Sequence, residues 1–214
     1  MIKKPSSTTP DVVVVGAGPA GLAAAGTAAS RGLSVLLLDE QPHAGGQIYR
    51  SIGQVSKSRL ALLGPDYAEG QRLLAALDEP RVTHVPGATV WQLEPDRTLF
   101  YSVDGVAHKI QPRHVILATG ALERPTPFPG WTLPGVMSAG AVQILLKSSG
   151  VVPEGPLILA GAGPLLLLLA AQVLRAGVKI AAIVETVGPH NRAKSLLYAV
   201  PALGGYDYLF KGAA

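Results

Sequence analysis

The sequence contains no cysteine, and that absence removes several kinds of chemistry from its 214 residues. Without a thiol these residues have no disulfide framework, no thiolate zinc or iron–sulfur site and no redox dithiol. The five histidines show no metal-ligand spacing, so no metal site is predicted. Any electron transfer by these residues therefore requires a bound cofactor.

Charged and aromatic residues are also scarce, at 15% and 5% of the chain, while hydrophobic residues make up 48%. The basic residues are scattered and few aromatics accompany them, which argues against nucleic-acid binding. The hydrophobic residues form continuous runs, as in strands that helices cover on both faces. The composition therefore predicts the α/β fold class.

An apolar run near the amino terminus, residues 12–29, follows the basic start "MIKK" as in a signal peptide or membrane segment. Pro10, Asp11 and the glycines within the run argue against a continuous membrane helix. A strand, a tight turn and a helix account for every interruption. We therefore expect no transmembrane segment and, by default, a cytoplasmic protein.

The segment "VVVVGAGPAGLAAAGTAASRGLSVLLL" predicts strand 12–15, a glycine turn, helix 19–30, a stop at Gly32 and strand 34–38. These elements make one βαβ unit. The turn carries three glycines in the pattern GxGxxG. The first permits the tight turn, the second lets the backbone approach a diphosphate, and the third lets the helix pack closely on the strand. The diphosphate would then lie at the helix N-terminus.

A carboxylate at the end of the second strand is expected to accept hydrogen bonds from an adenosine ribose. Asp39, 18 residues after Gly21, is the first candidate, and Glu40 is the alternative. The residues predicted to bind a dinucleotide here are Gly16, Gly18, Pro19, Ala20, Gly21, Asp39 and Glu40. By itself the pattern does not distinguish FAD from NAD.

Mixed local structure is predicted for the next eighty or so residues. Residues 41–59 have the composition of a loop that is too polar for a core element, and a helix is expected across 67–77. Short strands follow, with a hairpin turn at Asp104 and Gly105. Residues 114–121 then predict a buried strand that ends in a turn of small residues.

Two side chains in the polar loop are candidates for a site. His43 is expected to be an ordinary loop residue. Arg50 could neutralise a phosphate or a substrate carboxylate, but an exposed arginine is the simpler interpretation. No combination of Ser, His and Asp indicates a catalytic group, so no catalytic side chain is predicted.

Four prolines in "ERPTPFPGWTLPGVMSAG" prevent regular structure and indicate a crossing between two bodies. The predicted organisation is a domain over 1–125, an inter-domain crossing with a helix over 126–150, and a second, incomplete unit over 151–214.

The second unit repeats the opening pattern of strand, GAGP turn, helix, glycine stop, strand and acid. With a shift of 145 residues, Gly161 and Gly163 fall on the first two glycines and Glu185 falls on Glu40, but Leu166 replaces the third glycine. The leucine is expected to shift the helix and to make nucleotide binding less secure. Because Glu185 would repel a 2′-phosphate, the expected occupant is NAD or an adenine nucleotide. The apolar helix is too short for a membrane span.

The sequence resembles the flavoproteins that contain two dinucleotide-binding domains. The likeness rests on the GxGxxG turn, Asp39, "GGQ" at residues 45–47 and "ATG" at residues 118–120. It implies a Rossmann-like FAD-binding domain followed by a second, partial Rossmann-like βαβ unit, as in pyridine nucleotide-disulfide reductases. It also implies that FAD is contacted by Gly45, Gly46, Gln47, Thr119 and Gly120.

A narrower resemblance rests on "GGQIYR", "ATGALERPTPFPGWTLPGVMSAGA" and "GAGPLLLLLAAQVLRAGV". These segments are similar to the larger flavoprotein subunits of bacterial amino-acid and opine oxidoreductases, which include octopine and nopaline oxidase, hydrogen cyanide synthase and hydroxyproline dehydrogenase. The resemblance implies oxidation of an amino acid or opine-type amine by hydride transfer to flavin. It further implies two partners, namely a second flavoprotein subunit together with a small iron–sulfur subunit.

The chain is about half as long as those subunits, so we expect either a fragment or a degenerate product, with the fragment favoured. One alternative function is a non-catalytic or truncated subunit that keeps the dinucleotide fold for assembly. Another is a pyridine nucleotide oxidoreductase similar to thioredoxin reductase, although the lack of cysteine argues against its dithiol chemistry.

Overall fold

A computed structural model describes residues 9–124 and 126–188. The chain divides into two compact units after Arg124. In the described ranges no helix combines the length and the apolar character needed to cross a membrane. The predicted three-part division of the chain stays a prediction, and residues 189–214 of its last part lie outside the described ranges.

The first unit is built on a parallel sheet of four strands. Their order across the sheet is β3-β2-β1-β7. The elements of this unit are β1 (Val12–Val15), α1 (Pro19–Ser30), β2 (Val35–Asp39), α2 (Lys57–Leu63), α3 (Pro65–Ala68), α4 (Gly70–Leu73), a 3-10 helix (Leu74–Leu77), β3 (Val82–Pro86), β4 (Thr89–Leu93), β5 (Leu99–Val103), β6 (Val106–Ile110) and β7 (His114–Leu117).

The central strands β1 and β2 are buried at every position, as their unbroken apolar sequence predicts. Side chains on one face of the sheet pack against α1, whose buried residues include Gly21, Ala25 and Ala29. These residues recur every four positions, so a single narrow stripe of the helix approaches the strands closely. The predicted βαβ unit is confirmed, and Asp39 lies at the last position of β2.

The opposite face of the sheet is covered by the antiparallel strands β4, β5 and β6. Leu99 and Tyr101 of β5 are buried against the sheet residues Val13 and Leu36. The predicted hairpin turn lies between β5 and β6, where Asp104 and Gly105 have φ of 51° and 78°. Positive φ at both central positions matches the twist of a two-residue hairpin.

Two predictions in the first unit were wrong. The supposedly polar loop contributes Ala44 and Ile52 to the core, at 7% and 1% exposure, and its end begins α2. The single helix expected at 67–77 is a succession of three short helical pieces instead. The two segments also pack on each other, since a Cβ on Gly70 would lie 2.4 Å from the ring of Tyr49.

The second unit contains α5 (Ala139–Ser149), β8 (Leu157–Gly161), α6 (Pro164–Arg175) and β9 (Ile180–Glu185). The strands β8 and β9 are parallel neighbours. Buried residues of α6 form a separate apolar cluster with Val142 of α5 and Leu159 of β8. The second βαβ unit and the α/β class are thereby confirmed.

Candidate dinucleotide-binding site

A cavity of about 700 Å³ opens in the first unit, at the carboxyl ends of β1, β2 and β7. Ligands of open α/β sheets bind at this edge. Of the residues predicted to contact a cofactor in this unit, ten line the cavity, namely Gly16, Gly18, Pro19, Ala20, Asp39, Glu40, Gly46, Gln47, Thr119 and Gly120. Gly21 and Gly45 do not line it, and the structure gives them another role.

The glycine turn after β1 is held by close backbone contacts. Gly16 has φ of 101°, and a Cβ there would lie 2.4 Å from the carbonyl oxygen of Ala118. At Gly21 a Cβ would lie 1.8 Å from the carbonyl oxygen of Gly16. No side chain fits at either position, so these two glycines bring the helix and β7 against the turn.

The glycine pair of "GGQ" packs on the same turn. The Gly45 amide donates to the carbonyl of Ala17 at 2.8 Å. A Cβ on Gly46 would lie 2.8 Å from the Cα of Gly18, and the φ of Gly46 is 61°. The pair therefore shapes the cavity by letting one backbone segment touch another.

The acids at the end of β2 have different surroundings. Asp39 is only 6% exposed, and its carboxylate accepts hydrogen bonds from the backbone amides of Ala17 and Gln41. Glu40 is exposed, and its carboxylate accepts a bond from the Gln41 side chain at 3.2 Å. Asp39 thus ties β2 to the glycine turn, while both carboxylates border the cavity.

The sequence predicted that Arg50 is exposed at the surface. This prediction was wrong, because the loop that contains Arg50 lies along the cavity. The residue is partly buried and lines the cavity wall. Its Nη1 donates to the Oε1 of Gln41 at 2.8 Å, and its carbonyl accepts from the hydroxyl of Tyr67 at 2.5 Å. Burial raises the pKa of the Tyr67 hydroxyl, so Tyr67 remains a donor at neutral pH.

Sequence reasoning did not assign the other half of the lining to the cofactor site, although it weighed Arg50 as a phosphate or carboxylate partner and noted Ala118 within "ATG". The residues not assigned are Val15, Leu38, Gln41, Ile48, Arg50, Ala88, Val90, Leu117, Ala118 and Ala121. The rule that parallel strands present their carboxyl ends to a ligand would have found Val15, Leu38 and Leu117. Ala88 and Val90 had no local signal, because only the packing of β4 beneath the sheet edge brings them there. His43 is exposed and does not line the cavity.

His84 on β3 lies near Asp39 without reaching the cavity. Its Nε2 is buried and has no hydrogen-bond partner. Burial lowers the pKa of this imidazole, and the Asp39 carboxylate opposes the shift only in part. The ring is therefore neutral in the folded protein near pH 7.

The second turn differs from the first. Gly161 and Gly163 have φ of 157° and 89°, and the space around a Cβ at Gly163 is open to 4 Å. Leu166 is buried among the apolar residues of its own unit. Glu185 is exposed at the end of β9. Nucleotide binding by Gly161, Gly163 and Glu185 stays a prediction.

Residues 10–191 match the pyridine nucleotide-disulphide oxidoreductase family. The chain belongs to that family. Its members bind FAD, with a pyridine nucleotide as a second ligand in some, and they are oxidoreductases.

Curated relatives refine this assignment. The chain is 47% identical over 210 residues to an opine oxidase subunit from Agrobacterium tumefaciens, covering 94% of this chain and 42% of that one. It is 37% identical over 195 residues to hydrogen cyanide synthase subunit HcnB of Pseudomonas aeruginosa, covering 86% and 40%. The chain thus spans about two fifths of these relatives, both of which are named as subunits.

A solved structure shares the fold. L-proline dehydrogenase from P. horikoshii superposes with a TM-score of 0.64 at 20% sequence identity, covering 83% of this chain and 35% of that one. At this identity the likeness establishes the fold only, and it agrees with the α/β architecture described above.

Proposed function

We propose that this chain is part of an FAD-dependent oxidoreductase that oxidises an amino acid or an opine-type amine, with FAD bound in the first unit. The observation that carries the proposal is the cavity at the carboxyl ends of the parallel strands, where the glycine turn, "GGQ" and "ATG" meet. The names of the opine oxidase and hydrogen cyanide synthase relatives support the substrate class.

The residues present fit the adenosine diphosphate part of FAD. Gly18 precedes α1 and lines the cavity without a side chain, so the N-terminus of the helix is accessible to a diphosphate. Asp39 and Glu40 border the place where the ribose is expected. When bound, FAD would supply a hydride acceptor for the carbon that carries the amine. The chain's own residues would bind and orient that group.

The relatives' subunit names also support assembly with other chains. We propose that the partners are a second flavoprotein subunit together with a small iron–sulfur subunit, and that the location is cytoplasmic. NAD or an adenine nucleotide at the second turn, through Gly161, Gly163 and Glu185, remains a further proposal.

Gly18→Ala tests the cofactor site with little cost to the fold. A Cβ at Gly18 would lie 3.7 Å from the nearest backbone atom, the Cα of Gly46, so the free chain accommodates a methyl group. The methyl group would occupy the path of the diphosphate. Affinity for FAD, measured by quenching of flavin fluorescence, is expected to fall about tenfold or more. The control Gly26→Ala adds a methyl group farther along α1 and is expected to bind FAD normally.

Turnover is tested separately by adding candidate amino acids and opines to the FAD-loaded chain together with its co-expressed partner subunits, and following loss of the visible flavin band. Bleaching by one substrate class supports oxidation. A complex that binds FAD and bleaches with none of them would favour the non-catalytic alternative. A chain that binds no FAD would contradict the proposal itself.

A further inference from the structure

Arg50 is held in the cavity wall by two hydrogen bonds, neither of which is made with a carboxylate. Its backbone carbonyl accepts from the Tyr67 hydroxyl at 2.5 Å, and its Nη1 donates to the Gln41 side chain at 2.8 Å. Tyr67 is buried, at 5% exposure, so the carbonyl is anchored to the core of the unit. The guanidinium is therefore placed at the cavity before any ligand arrives.

The charge of this guanidinium is not neutralised by any carboxylate in the described part of the chain. In the ranges 9–124 and 126–188 no carboxylate forms an ion pair with Arg50. Its Nε is buried without a hydrogen-bond partner, and the bond to Gln41 uses only one of its N–H groups. A buried donor that lacks an acceptor is unfavourable and rare in folded proteins. The arrangement indicates an acceptor that residues 9–124 and 126–188 do not supply, and a ligand in the cavity can supply one.

The contacts of Gln41 place Arg50 at the end of the cavity next to Asp39 and Glu40. The Gln41 amide donates to Asp39 at 2.7 Å, and its side chain contacts both Glu40 and Arg50. This network lies at the end of β2, where dinucleotide folds receive the adenosine ribose. We expect the diphosphate at the N-terminus of α1, beside Gly18 and Gly46.

We propose that Arg50 binds the adenosine half of the dinucleotide, donating hydrogen bonds to acceptors on the ribose or the adenine ring. The inference rests on the proposed function for the location of the ligand, but it extends to any adenosine nucleotide. Gln41 is the positioning residue, since it orients the guanidinium and is itself fixed by Asp39. Binding offers acceptors to the N–H groups of the guanidinium that the bond with Gln41 does not use.

The test compares Arg50→Met and Arg50→Lys with Arg31→Met. Methionine keeps an unbranched apolar stem but removes the donors, whereas lysine keeps the charge without the planar fork. Arg31 is exposed at the far end of α1, a helix of 12 residues, and so lies about 18 Å from the glycine turn. Affinities for ADP, adenosine and inorganic pyrophosphate are measured by calorimetry or competition, and FAD is measured in parallel.

Arg50→Met is expected to weaken ADP and adenosine about tenfold or more and to leave pyrophosphate unchanged. Arg50→Lys should recover little, because adenosine is neutral and responds to donor geometry. Arg31→Met should match the wild type. The melting temperature of ligand-free Arg50→Met should be unchanged or higher, because the variant removes an unpartnered buried donor.

Three results would overturn the inference. Equal weakening of pyrophosphate would place Arg50 at the diphosphate, and full recovery by lysine would show that charge alone acts. A lower melting temperature with normal adenosine affinity would show a structural role. If the wild type binds ADP but not FAD, the proposed function fails while the inference about Arg50 is still decided by the ADP and adenosine data.

Discussion

The two glycine turns of this chain begin with the same four residues, GAGP, yet they have different shapes. In the first turn Gly18 has φ of −73°, while in the second Gly163 has φ of 89°. The helices that follow have the same length and coincide when one copy is shifted onto the other. The difference therefore arises within the turn itself.

The first turn is enclosed by residues from three other parts of the chain. Ala118, Asp39, Gly45 and Gly46 all contact it, and Gly21 lets the helix touch it. At the second turn no atom of the described residues, apart from the chain neighbours, lies within 4 Å of a Cβ on Gly163, and Leu166 stands where the first turn has its third glycine. Both GAGP segments therefore begin a helix, but among the described residues a nucleotide-sized cavity forms only where distant segments also pack on the turn.

Gly21→Leu places in the first turn the leucine that the second turn has at Leu166. Of the variants considered, it is expected to lower the free energy of unfolding most. Any Cβ here would lie 1.8 Å from the Gly16 carbonyl oxygen, so the helix must move away from the turn. We expect a loss of about 3 kcal/mol or more in the free energy of unfolding. Urea unfolding followed by Trp91 fluorescence measures it, in a Trp131→Phe background that leaves the reporter in the first unit alone.

Gly26→Ala is the matched control on the same helix. A Cβ at Gly26 would lie 3.3 Å from the Cβ of Ala76, so only a small adjustment is needed. The change in stability should stay within about 1 kcal/mol in either direction. Similar losses in Gly21→Leu and Gly26→Ala would mean that the third glycine of the turn has no special role.

Asp39→Asn tests the bond between β2 and the turn and should have an intermediate effect. The carboxylate accepts from two backbone amides, and an asparagine can offer its oxygen to only one of them. We expect a loss of about 2 kcal/mol, measured by the same unfolding experiment. Glu40→Gln, at an exposed position next to it, should change stability by no more than about 0.5 kcal/mol. If the two variants were equally stable, the assignment of Asp39 as the structural acid would be wrong.

His84 is expected to make the stability of the first unit depend on pH, with a smaller effect than those of the substitutions above. Because burial places its pKa below the usual value of an unfolded histidine, the unfolded state binds more protons at mildly acidic pH. Its contribution to stability is complete above about pH 6.5 and is lost as the pH falls toward the folded pKa. His84→Leu should flatten the decline in stability between about pH 7 and about pH 5.

The control for this experiment is His114→Leu, which alters an exposed ring on β7. It should leave the pH profile of Trp91-detected unfolding close to that of the wild type. The described part of the second unit, residues 126–188, contains no histidine. A decline in stability over the same pH range that persists in His84→Leu would assign the acid sensitivity to other groups.

Much of the local structure could be predicted from the sequence because it depends on neighbours along the chain. Strand 12–15 and helix 19–30 have the predicted bounds, since an unbroken valine run forms the strand and Pro19 is favourable at the first helical position. The helix at 67–77 could not be predicted in the same way. The break falls at Glu69, and Gly70, which begins α4, packs against Tyr49, a residue more than twenty positions earlier.

The sequence alone determined the βαβ order, the position of the acid after β2 and the repetition of the pattern in the second unit. Hydrophobic periodicity and glycine sterics are properties of short segments, so they can be recognised without a fold. Only the tertiary structure decided what each residue does in the cavity. In the folded chain the Asp39 carboxylate accepts a hydrogen bond from the backbone of the turn, and Gly46 packs against Gly18. Arg50, expected at the surface, lines the cavity. These roles depend on contacts between distant segments, which form only when the chain packs.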